Sequence, residues 1–117
     1  MRTLAAPEPE LAKRLLLGVR YEDRLRAGLL VPPRGVVETP VASLPELCSL
    51  LEPDARCLPA VHFDTLVEWI GGVLGDTELA GRIREAVREG CYVDGCRAAH
   101  ALISERLAQA RSCAGAV

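Results

Sequence analysis

Between His62 and Ala110 apolar residues recur at three- and four-residue spacing, and two Gly-centred stops, Gly75-Asp76 and Gly90, cut that pattern into three consecutive helices. The first of these, starting near Asp64, is expected to bury Leu66, Val67, Ile70, Val73 and Leu74, with Phe63 as a staple ahead of it and Trp69 widening the apolar face. Asp76 is placed to cap the next, whose stripe is Leu79, Ala80, Ile83, Ala86 and Val87, while Glu78 and Arg82 form an i,i+4 pair on its flank. Asp94 caps the last, Gly95 to about Arg111, with Cys96, Ala99, Ile103, Leu107 and Ala110 turned inward.

Upstream, Leu11, Leu15, Leu25 and Leu29 share a stripe that predicts a first helix over 8–30, entered through Pro7 and Pro9 and interrupted at Gly18. Pro32-Pro33 stops it. Residues 31–41 then read as a Pro-rich extended connector, with room for a short edge strand in the β-branched stretch after Arg34. Ser43-Leu44-Pro45-Glu46 is a capping box in which Glu46 reaches back to the Ser43 N–H, and it opens a short helix from Leu44 to Leu51. Pro53 and Pro59 bracket an irregular segment, and Ser112 to Val117 form a frayed tail. The fold expected from this pattern is all-α: four to five helices in a compact antiparallel or orthogonal bundle. The 117 residues make a single domain, with 42–111 as the helical core and the 8–30 helix packing either on it or in trans on a second subunit.

Composition narrows the functional classes. No apolar run is long enough to span a bilayer and the first residues lack the apolar segment of a secretory signal, so a cytoplasmic protein with no membrane partner is expected. A net charge of −2 argues against a nucleic-acid partner. The helix-turn-helix look of the segment around Gly75-Asp76 does not change this, because Glu78, Glu85 and Glu89 alternate with Arg82, Arg84 and Arg88. Lys13, Arg14, Arg20, Arg24 and Arg26 on the outer face of the first helix keep nucleic-acid binding as the weaker alternative.

The residues with the most chemistry are Cys57, His62, Cys91, Cys96 and His100. Cys96 and His100 lie four apart on one helical face, a spacing that can supply two zinc ligands, and a neighbouring imidazole can also activate a thiol. No two cysteines have the close spacing typical of structural zinc sites, and a buried thiol beside a hydrogen-bonded core histidine accounts for the same pair. No cofactor is expected, with zinc as the alternative. Asp64 and Asp76 sit at capping positions rather than as an acid and base pair. Gly71, Gly72 and Gly75 present nearly bare backbone, read as a surface for close helix packing. With no catalytic set, the expectation is a non-enzymatic interaction or regulatory module. It would present helical surface to another protein or to itself as a homo-oligomer, and a metal- or thiol-site protein is the alternative.

Ala42-Ser43-Leu44-Pro45-Glu46-Leu47, His62 to Ile70 and Val73 to Ala80 together resemble an uncharacterised prokaryotic family of small helical domains. The likeness spans 41–110 and rests on the order of short helix, loop, Trp-containing helix and Leu-Gly-Asp turn. It implies a helical fold, and because the family has no assigned activity it carries over no catalytic role.

Overall fold

The computed structural model describes residues 4–5, 7–52, 58–88 and 90–115, with side chains as far as 112. The chain is α+β. In order it forms α1 (Pro9–Leu16), a single 3-10 turn (Tyr21–Asp23), β1 (Gly28–Val31), β2 (Gly35–Glu38), α2 (Leu44–Leu51), β3 (Leu58–Ala60), α3 (Phe63–Gly72), α4 (Thr77–Val87) and α5 (Tyr92–Gly115). The three strands make one antiparallel sheet in the order β2-β1-β3, which overturns the all-α expectation.

One error lies in the segment before His62 that was expected to be irregular, where Leu58–Ala60 form β3; the other lies in the 8–30 helix, which ends at Leu16 because Leu17 turns extended at φ −93, ψ 155. Beyond Gly18 the backbone is satisfied by pairing instead of by coiling. Val19 N–H donates to Ala42 O at 2.6 Å, and Leu25 and Val41 exchange both of their bonds at 2.8 and 3.0 Å. Leu25 and Leu29 are four apart, a separation that fits one face of a strand as well as one face of a helix, so their spacing alone could not choose. The connector at 31–41 is the return arm of this hairpin. Arg34 N–H donates to Val31 O at 2.8 Å, and Gly35 at φ +89 takes a backbone conformation that side chains disfavour.

The helices after Ser43 largely bury the stripes their periodicity predicts, but α5 starts at Tyr92, so Asp94 lies in its first turn instead of capping it, and the helix continues through Ser112 to Gly115, where a frayed tail was expected. α5 is the spine: α1, α2 and α4 pack on it, and α3 packs on α4. Cys96, Ala99, Ile103, Leu107 and Ala110 are all buried, as their spacing predicts. On α3, however, Val73 is 38% exposed and Trp69 takes its place inside, donating its indole N–H to Asp23 O at 2.7 Å. Val73 has passed the last helical turn, so the stripe no longer governs it. Ser43 Oγ accepts from Glu46 N–H at 3.3 Å, but the Glu46 carboxylate takes the Ser43 hydroxyl at 3.1 Å rather than the expected Ser43 N–H. The Leu stripe of the first helix is divided inside the chain itself. Leu15 and Leu25 are fully buried, and Leu11 and Leu29 pack against the same core, so α1 has no free stripe to offer in trans.

A charged pair, Arg106 and Asp76, enters this core. Arg106 is 1% exposed, with Nε 2.8 Å from Asp76 Oδ2, off the line of a hydrogen bond, and Nη2 2.6 Å from Glu78 Oε1. Asp76 is equally buried and also caps α4, its Oδ1 accepting from Leu79 N–H at 3.0 Å. The same cluster straps down the start of the chain. Arg106 Nη1 donates to Ala5 O at 2.6 Å, Glu78 accepts from Ala5 N–H, and Gln109 and Glu105 hold Leu4 O and Leu4 N–H.

Candidate functional site

The N-terminal end of α3 and the C-terminal end of α4 flank a groove of about 430 Å3. Its apolar lining is Val61, Phe63, Val67, Val87 and Tyr92, with His62, Asp64, Arg84 and Arg88 as the polar members. Phe63 stacks on Tyr92 with ring centroids 5.2 Å apart, and Gly95 makes room for that stack, because a Cβ there would come within 2.9 Å of the Phe63 ring. His62 is the exposed N-cap residue of α3, and its side chain makes no capping bond.

The lining holds no Ser, Thr or Cys, and its one hydroxyl is already engaged. Tyr92 Oη donates to Pro59 O and accepts from Val61 N–H at 3.0 Å, which fastens the end of β3 to the start of α5. Desolvation holds the phenol pKa above its ordinary value. The groove therefore presents two guanidinium groups, an imidazole and a carboxylate around an apolar floor.

Of the five residues singled out for metal or thiol chemistry, the four described ones differ in their surroundings. His62 is exposed at the groove, Cys91 is exposed just before α5, Cys96 is buried and His100 is half-buried. Cys57 lies outside the described residues. Among the described residues, no three His, Cys, Asp or Glu side chains converge to hold a metal ion. Burial pushes the Cys96 thiol pKa up, the direction that makes it less nucleophilic at neutral pH. Cys48 lies 3.4 Å from Ser104 Oγ.

The three glycines likewise have separate surroundings. Gly71 faces α4, where an added Cβ would sit 3.4 Å from the Ala80 Cβ, while Gly72 has open space. Gly75, at φ +80, turns the chain out of α3, and a Cβ there would lie 2.8 Å from Arg14 Nη1. The five cations expected on one face of a long helix are divided between α1, the 3-10 turn and the approach to β1, and Arg24 stacks 3.8 Å over the Tyr21 ring.

No protein-family model matches the chain, and no curated protein or solved structure is significantly similar to it. Among the described residues no helix is long and apolar enough to cross a membrane.

Periodicity missed two features of the structure. Arg106 occupies a stripe position, three residues after Ile103 and four before Ala110, and a charge at such a position is the available sign of a buried ion pair. The Phe63 and Tyr92 stack joins elements far apart in sequence and has no local sign.

Proposed function

We propose that this protein is a non-enzymatic interaction module that associates with itself and offers a second surface to another protein. The observation that carries the reading is an apolar row on one face of the sheet that no other described element covers fully. Leu58, Leu30 and Val36 lie directly opposite one another across β3, β1 and β2, with Leu30 37% and Val36 66% exposed. An apolar row of this kind on a folded surface is explained by something that covers it. The α3–α4 groove is the second surface. Arg84 and Arg88 stand beside its apolar floor, an arrangement that fits an acidic residue next to an apolar side chain on a partner protein.

Backbone amide NMR shifts, followed as the protein is concentrated and paired with light scattering, test the reading. Rising mass with shifts confined to residues 28–38 and 58–60 is the expected result. A constant monomeric mass with unmoved shifts refutes self-association.

A further inference from the structure

The two edges of the sheet are not equivalent, and the difference names the partner. On the β3 side, Gly28 and Leu30 of β1 pair with Ala60 and Leu58, so the residue pointing outward is Pro59. Pro59 has no N–H to give, and its carbonyl is taken by the Tyr92 hydroxyl. That edge is closed. On the β2 side, Thr39 N–H donates to Ala27 O and Val41 N–H to Leu25 O, so odd-numbered residues face β1. By alternation Val36 and Glu38 turn their N–H and C=O groups outward, and neither has a backbone partner among the described residues.

The geometry points to a two-fold dimer in which β2 pairs antiparallel with β2 of a second copy, centred on Val36 opposite Val36 of the partner subunit. This rests on the self-association proposed above and assigns its surface and register. Centring on Glu38 would set two carboxylates face to face. Centring on Val36 instead brings Arg34, in the turn that leads into β2, towards the partner's Glu38 at both ends, and neither residue has an ion-pair partner among the described residues. The three sheet-face residues then continue across the axis, making one apolar row of six through a six-stranded sheet. A strand edge is complementary to its own copy about a two-fold axis, so no other protein is needed to satisfy it.

Charge reversal tests the register. Arg34→Glu and Glu38→Arg each turn both end pairs repulsive, and both positions are exposed, so the fold is expected to be untouched by circular dichroism. By sedimentation equilibrium each variant alone should dimerise at least about tenfold more weakly than wild type. An equimolar mixture of the two should recover dimer, since every end pair is then attractive. Wild-type dimer with unweakened single variants, or with no recovery on mixing, overturns the β2 assignment and leaves self-association standing. Wild-type protein that stays monomeric to about 0.5 mM overturns both.

Discussion

Replacing Arg106 by Met keeps a long, flexible stem in the core but removes the positive charge that faces Asp76. Both partners are 1% exposed, and the Asp76 carboxylate cannot turn to water without giving up the Leu79 N–H that it caps. Loss of one member of such a pair leaves an uncompensated buried charge and costs about 3–5 kcal/mol. Glu78 adds little to that figure. Its side chain is 41% exposed and rehydrates once released. At this chain length the loss corresponds to a fall of about 12–20 °C in Tm. Urea unfolding followed by the fluorescence of Trp69, which is the chain's one Trp and is buried, measures it directly. The variant Arg106→Met with Asp76→Asn retains a capping oxygen but no orphaned charge, so it should be more stable than Arg106→Met alone. An Arg106→Met protein within about 1 kcal/mol of wild type, or a double variant whose loss is the sum of the two single losses, would refute the reasoning.

Three further outcomes follow from the same contacts. Glu78 has its carboxyl pKa held below the ordinary value, first by the Ala5 N–H and then by Arg106, so the stabilisation it contributes is present above the unfolded-state pKa. It should drain away as pH falls from the ordinary Glu range through the lower folded-state value, by less than about 1 kcal/mol in all, and Glu78→Gln should flatten that part of the stability profile. Tyr92→Phe leaves Val61 N–H and Pro59 O without their partner and should cost about 1–3 kcal/mol, with faster amide exchange at Val61 as the local readout. In native protein at pH 8, iodoacetamide followed by peptide mass spectrometry should find Cys91 alkylated well before Cys96. The latter is buried and its thiol pKa is raised; equal rates at the two would contradict that burial.

The residues by themselves determined much of what has a local cause. The stops at Gly75 and Gly90, the caps at Ser43 and Asp76 and the inward stripe of α5 are all set within one or two turns of chain, where propensity, capping and period act directly. What lay beyond reach depended on distant partners. Leu25 and Leu29 fit a helix or a strand equally, and the choice was made by Thr39, Val41 and Ala42, whose backbone groups meet that arm only when the hairpin closes. The candidate surfaces divide the same way. Arg84, Arg88 and His62 could be named from the chain, but only tertiary packing set them around one apolar floor. Likewise, nothing in the local run of residues says that Tyr92 will seal the Pro59 edge while the Val36 edge stays open, because a hydrogen bond between residues more than thirty positions apart is decided by where the helices dock.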